Sequence, residues 1–326
     1  MITADCAPAP GAPVWRVEDI SGIRVHWTPV AYDNTMSLGQ RMRSFVRFAV
    51  RSSLRAASIR SDVVFATSTP LTIALPGLWA SWRNRTPLVF EVRDLWPDVP
   101  IALGALRNPV SRWLALKLED VVYRHSQHIV ALAPGMREDI VAKGVPAEKV
   151  SVISNGADVA LFSVGDEAGA EIRAAHEWLG DRPMIIYAGA VSTANGVEYL
   201  AHLAAATRQI DPEIRFVVAG TGRDMDLVRD LATELGVYEQ SFFMLGRIPK
   251  GDVAKWLAAS SMTCAMLTGP RIVWKDAVSN KFFDSLAAGK PVANNFDGFS
   301  SQVAREAGAG IILDPDDVEQ AARDLV

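Results

Sequence analysis

The chain has 326 residues, 49% of them hydrophobic and 21% charged, and a formal net charge of −4. Such a composition supports a sizeable core and two domains, and it excludes a disordered or fibrous chain. The acidic total also argues against a nucleic-acid partner. The two cysteines, Cys6 and Cys264, lie far apart in no metal-like spacing, so a reducing compartment fits and no disulfide framework is expected. The longest apolar stretch, Val63 to Trp82, is broken by Thr67, Ser68, Pro70 and Pro76, so no spanning helix is expected. Charge is uneven: residues 1–165 hold 18 Lys and Arg against 14 Asp and Glu, and residues 166–326 hold 15 against 23. The halves therefore meet different things.

In chain order, Met1 to Ala4 passes at once into a Pro/Ala-rich loop, where a Rossmann-like half opens on a strand, a Gly-rich turn and a helix. One βα unit is thus expected to be missing at the start. Between Gln40 and Arg60 come Arg41, Arg43, Arg47, Arg51, Arg55 and Arg60 with no acid among them, interleaved with Phe45, Phe48 and Leu54. This reads as a basic amphipathic helix suited to anionic lipid, with a solvated helix face as the competing reading. Apolar runs at Val63–Ala66, Leu88–Val92, His128–Leu132 and Val150–Ile153 read as buried parallel strands, with helices at Pro109–His125 and Gly135–Lys143 between them. Glu91 and Arg93 share one side at the end of the second of these strands, followed by Asp94 and Asp98. Charges there line a ligand crevice or form a structural ion pair.

The second half repeats the plan, with strands at Met184–Gly189 and Phe216–Gly220 and helices at Gly196–Gln209 and Asp224–Leu235. The alternation predicts two doubly wound α/β domains, 1–160 and 161–326. Gly189 to Gly196, including Asn195, and Gly220-Thr221-Gly222 are small-residue turns able to bring backbone N–H groups to an anion, although a tight turn explains the second equally well. Arg247 and Lys250 are the side-chain cations expected beside them. Asp224/Asp226 and Asp314/Asp316 read as helix-start carboxylates and not as metal ligands. The stretch Arg271 to Asn295 is the most informative. It sets Asp276 and Asp284 eight positions apart around a helix start at Ser279-Asn280-Lys281, with Lys275 before it and a Gly289-Lys290-Pro291 stop after it. Two carboxylates flanking a helix N-terminus suit a ligand with hydroxyls at both ends and an anionic middle, such as a nucleotide-sugar. A surface helix with a Lys281–Asp284 pair is the bland alternative. The end of the chain falls inside a helix, Val318 to Val326.

Four segments, Phe90–Asn108 (FEVRDLWPDVPIALGALRN), Val152–Phe162 (VISNGADVALF), Val217–Asp224 (VVAGTGRD) and Ser279–Asn295 (SNKFFDSLAAGKPVANN), together resemble the retaining family 4 glycosyltransferases of the GT-B fold. The similarity is greatest to the bacterial O-antigen and exopolysaccharide branch of fucosamine-transferase type. The resemblance implies two Rossmann-like domains facing across a cleft and a UDP-sugar on the second. It implies no metal ion and no cofactor beyond the donor. Asp276 would contact donor-sugar hydroxyls, Asp284 the ribose, and the backbone of Ala277, Val278, Ser279 and Asn280 the diphosphate. The loop Gly189–Gly196 lacks the Arg and Lys common in the family, so Arg247, Lys275 or Lys281 must compensate. Arg93 stands where many members have His and cannot act as a base, which leaves Glu91, Asp94, Asp98 or the leaving phosphate. The implied acceptor is polyprenyl-diphosphate-linked or a saccharide, reached from the cytoplasmic face of the membrane. The family's opening strand and Gly-rich loop, and part of the final helix, are expected to be absent. A GT-B UDP-sugar epimerase and a binding-only fragment are the alternatives.

Overall fold

The computed structural model describes residues 1–33 and 36–326. The chain forms two compact units, Met1–Ile153 and Ser154–Val326.

The first unit contains β1 (Ile2–Asp5), β2 (Arg16–Ile20), β3 (Ile23–Pro29), α1 (Leu38–Ala57), β4 (Val64–Thr67), α2 (Ala74–Asn84), β5 (Leu88–Val92), α3 (Asp98–Ala102), α4 (Pro109–His125), β6 (His128–Ala131), α5 (Pro134–Ala142) and β7 (Val150–Val152). Strands β4-β5-β6-β7 make a parallel sheet in chain order, and β1-β3-β2 make a separate one. Leu88, Phe90, Ile129 and Ala131 are buried between the first sheet and its helices. The chain opens on β1, which pairs parallel with β3 outside the four-stranded sheet, and a hairpin and not a helix follows it. That hairpin turns on Ser21-Gly22, both at positive φ, with the Gly22 N–H donating to Asp19 Oδ1. Two such residues match a tight hairpin turn. Helix α4 starts where Asn108 accepts from the N–H groups of Val110 and Ser111 and Pro109 takes the first helical position.

The second unit contains α6 (Val159–Phe162), α7 (Asp166–Ala175), β8 (Met184–Ala188), α8 (Val197–Ile210), β9 (Arg215–Ala219), α9 (Met225–Glu234), β10 (Phe242–Gly246), α10 (Lys250–Ala259), β11 (Met262–Ala265), α11 (Arg271–Trp274), α12 (Asn280–Ala287), β12 (Val292–Asn294), α13 (Phe299–Glu306), β13 (Gly310–Ile312) and α14 (Val318–Leu325). Its sheet is parallel throughout, in the order β10-β9-β8-β11-β12-β13. Every residue of β9 is buried, as in a sheet covered by helices on both faces. One face packs Tyr187, Phe216 and Val218 against Leu200, Leu203 and α14. The other packs Ile186 and Val217 against Phe162, Leu179 and Trp256. Because Phe162 enters that second core, the segment after β7 joins the second unit. The units therefore divide at Ile153/Ser154, ahead of the expected 160/161.

In the first unit, Lys143 Nζ lies 2.5 Å from the buried carboxylate of Glu119 and 2.6 Å from Asp98. Burial raises the Glu119 pKa, and Lys143 opposes that rise. Removing the cation strands a buried carboxylate, so Lys143→Met should destabilise the first unit by about 3 kcal/mol in urea denaturation. Adding Glu119→Leu should restore most of that loss.

Candidate functional site

In the second unit the strand order reverses between β8 and β11, with all strands still parallel. A parallel sheet opens a crevice at the carboxyl ends of its strands at such a point. A cavity of about 340 Å³ lies there, bounded by Ala188 and Gly189 after β8, Ala219 and Gly220 after β9, Arg247 after β10, Cys264 on β11, and Lys250, Lys281 and Asp284 on the following helices. Lys281 is the deepest of its cations. Its Nζ donates to Asn195 Oδ1 at 3.2 Å and sits 5.2 Å from the centre of the Tyr187 ring. Burial lowers its pKa. Arg247 and Lys250 are exposed at the rim. Asp284 shares the wall, and burial raises its pKa while Lys250 opposes the rise. Lys281 is thus engaged by Asn195 and Tyr187, and not in the surface pair with Asp284 that spacing allowed.

Ser279 takes the N-cap position of α12 with extended backbone, yet its side chain caps none of the first-turn N–H groups. The Phe282 N–H bonds back to the Ser279 carbonyl at 3.1 Å. Phe282 and Ser285 are the buried anchors of the helix, with Phe283 and Leu286 at the margin of the core. The approach loop is fastened from three sides. Asn155 Nδ2 donates to the Val278 carbonyl at 2.8 Å, Ser300 Oγ to the Ala277 carbonyl at 2.7 Å, and the Phe299 N–H to the Lys275 carbonyl at 3.0 Å. A Cβ on Gly298 would overlap the Trp274 carbonyl, so α13 packs directly on this loop. Asp276 is buried, with one oxygen 4.0 Å from Lys275 Nζ, and does not line the cavity that Asp284 lines. Neither Asn155 nor Ser300 was expected at the site. The SNGAD motif marked the first, but nothing local ties it to a loop more than a hundred residues on.

The glycine turns have a definite packing role. A Cβ on Gly220 would overlap the Gly189 carbonyl, and one on Gly222 the Val191 carbonyl, so the loops after β8 and β9 touch backbone to backbone. Gly189 also leaves room for the Lys281 stem, which a Cβ there would meet. Gly196 starts α8 at positive φ. Asp224 does not cap α9. It accepts from Thr193 Oγ1 at 2.6 Å and pairs with Arg223, tying the same two loops together, and the Thr193 bond holds its pKa down. Asp314 accepts from the N–H groups of Asp316 and Asp317, and Asp317 caps α14.

In the first unit the ends of β4 and β5 are stitched by side chains. Thr67 donates to the Glu91 carboxylate, the Arg93 N–H to Ser68 Oγ at 3.1 Å, and Thr69 to Asp94 at 2.6 Å. Asp98 is engaged by Lys143. The α1 arginines divide. Arg51 donates to Thr28 and the Pro29 carbonyl, and Arg55 to His26 Nδ1 while lying over Trp15; Arg41 lies over Tyr32. Arg43 and Arg47 are exposed. Arg51 and Arg55 therefore do not form the outer membrane-contact face expected of them, because α1 packs that side against the hairpin.

Residues 2–156 match a glycosyl transferase 4-like domain, and residues 169–325 match the group 1 glycosyl transferases. Both halves of the chain belong to glycosyltransferase domain families. A D-inositol 3-phosphate glycosyltransferase of Nocardia farcinica is 23% identical over 71% of this chain and 51% of its own length. A putative colanic acid biosynthesis glycosyl transferase, WcaI of Escherichia coli, is 24% identical over 71% and 58%. The chain thus spans about half to three fifths of the length of these relatives. Among solved structures, HepE of Anabaena in complex with UDP superposes with a TM-score of 0.68 at 19% identity, covering 93% of this chain and 76% of that one. Sucrose-phosphate synthase of Thermosynechococcus elongatus gives 0.73 at 16% identity, covering 100% and 78%. The fold is that of the GT-B glycosyltransferases.

In this glycosyltransferase-family chain Lys281 is the half-buried cation of the cavity, so its loss should be felt by anions and hardly by the fold. Lys281→Met should weaken inorganic pyrophosphate binding about tenfold or more in calorimetry, the value of a charge-assisted hydrogen bond. The unfolding midpoint should stay or rise, because an ammonium with few partners leaves the interior.

Proposed function

We propose that the chain is a retaining, metal-independent glycosyltransferase that takes a UDP-sugar as donor. The observation that supports this best is the cavity at the β8/β11 reversal, where a half-buried ammonium lies beside a small-residue loop and a carboxylate faces the same space. In this reading Lys281, with Arg247 and Lys250 at the rim, neutralises the diphosphate, and the uncapped first turn of α12 donates N–H bonds to it. Asp284 accepts from the ribose hydroxyls. Asp276 acts on the sugar end through the loop it anchors. The bond from the anomeric carbon to the phosphate oxygen breaks, and the acceptor hydroxyl adds on the same face. Its proton passes to the departing phosphate, so no side-chain base is required. Electrostatic stabilisation of the leaving group and positioning then supply the catalysis. Glu91, Arg93 and Asp94 belong to the acceptor side. The acceptor is a lipid-diphosphate-linked or free saccharide, and the setting is synthesis of a bacterial surface polysaccharide at the inner face of the membrane.

The test is calorimetry with UDP and UDP-glucose in the absence of metal. Asp284→Ala should lower affinity about tenfold or more, since bonds to a charged carboxylate are worth about 1.5–3 kcal/mol each. A folded chain that binds neither ligand overturns the proposal. A chain that binds UDP-glucose and interconverts it with an epimer, with no acceptor present, is an epimerase instead.

The raised pKa of Asp284 sets a sign. UDP-glucose has no phosphate titrating near neutrality, so its affinity should be full where Asp284 is ionised and fall as pH drops through the folded pKa. That midpoint should lie above the ordinary aspartate value of 3.8. The fall should be absent in Asp284→Asn.

A further inference from the structure

We propose that Asn155 is a positioning residue for the donor site: through the Val278 carbonyl it sets the direction of the Ser279 N–H at the start of α12. The proposal rests on the UDP-sugar reading above and assigns that site a residue outside its walls, since Asn155 does not line the cavity. Asn155 Nδ2 donates to the Val278 carbonyl at 2.8 Å across 123 positions of sequence, so the bond is a product of the fold and not of a local turn.

The carbonyl of residue 278 and the N–H of residue 279 belong to one planar trans peptide, in which they point in opposite directions. Holding the carbonyl toward Asn155 therefore holds the Ser279 N–H away from it. Ser279 is the N-cap of α12, and two residues on Lys281 reaches into the cavity. A single peptide plane thus stands between Asn155 and the helix end that meets the diphosphate in that reading. The job needs an N–H donor, because a backbone carbonyl only accepts.

Asn155 is itself firmly seated. Three residues on, Asp158 caps α6 by accepting from the Leu161 N–H at 3.1 Å. That short helix ends in Phe162, which is buried in the core with Leu179 and Trp256 and lines the cavity. It packs on both α10 and α12. The tether therefore runs from one wall of the cavity to the helix that carries another. The rest of the approach loop has its own supports, since Ser300 Oγ holds the Ala277 carbonyl and the Phe299 N–H holds the Lys275 carbonyl. Loss of the Asn155 amide frees one peptide plane and leaves the loop in place.

The experiment compares Asn155→Ala and Asn155→Leu with the unaltered chain, by amide hydrogen exchange without ligand and by calorimetric titration with UDP and with uridine. The Phe282 amide, bonded to the Ser279 carbonyl, should exchange about fivefold faster in both variants, and the Ala277 amide should keep its rate. UDP should bind about fivefold more weakly, the value of one neutral hydrogen bond, while uridine affinity and the unfolding midpoint stay unchanged. Uridine carries no phosphate, so a general loosening of the cavity would weaken both ligands alike. An unchanged Phe282 amide, an equal loss for UDP and uridine, or a loss in Asn155→Ala that Asn155→Leu does not share, which is lost packing, would overturn the proposal. An unaltered chain that binds no UDP overturns the UDP-sugar reading instead, and the exchange rates alone then decide whether Asn155 aims Ser279.

Discussion

The second unit is organised around one unfavourable act, the partial burial of the Lys281 ammonium. An ammonium below the surface with an amide oxygen and an aromatic face as its neighbours recovers only part of its lost hydration. The local geometry is what such a group needs. Gly189 is small enough for the lysine stem, Gly220 lets the next loop close over Gly189, and Gly222 repeats that approach at Val191. Thr193 and Asp224 then fasten the two loops. The loop Gly189–Gly196 has no arginine or lysine of its own, and the ammonium beside it reaches in from α12.

The two aspartates of the same stretch show how environment separates identical residues. Asp284 sits in the cavity wall, where burial favours its neutral form and Lys250 favours the charged one. Asp276 is inside a loop held by Asn155, Ser300 and the start of α13. Those bonds fall on the carbonyls at 275, 277 and 278, while the N–H groups of Lys275, Ala277 and Phe282 bond back to the carbonyls of Arg271, Trp274 and Ser279, so the loop is held through both sides of its backbone.

Much of the architecture is legible in the residues alone. Strands buried on both faces read as continuous apolar runs, as in Phe216 to Ala219, and α4 announces itself through Asn108 and Pro109. The hairpin β2–β3 was not legible, because an exposed edge strand such as Arg16–Ile20 buries too little to impose alternation. Its signal was the Ser21-Gly22 pair. The glycine turns were legible as turns, but their purpose was not. Anion approach and close loop packing require the same small residue, and only the neighbouring carbonyls tell them apart. Strand β1 was hidden by its shortness, since four residues before a Pro/Ala-rich loop carry no periodicity.

Charge is where composition and site diverge most. The second half has an acidic excess, yet its cavity gathers Arg247, Lys250 and Lys281 against one carboxylate. The surplus acids are engaged elsewhere: Asp317 caps a helix, Asp314 closes a turn, and Asp224 joins two loops. The first half has a basic excess, and part of it is equally committed, since Arg51 and Arg55 bolt α1 to the hairpin. What a ligand or a surface meets is the charge left after such internal bonding. A cavity focuses the field of the few groups that line it, whatever the sign of the whole.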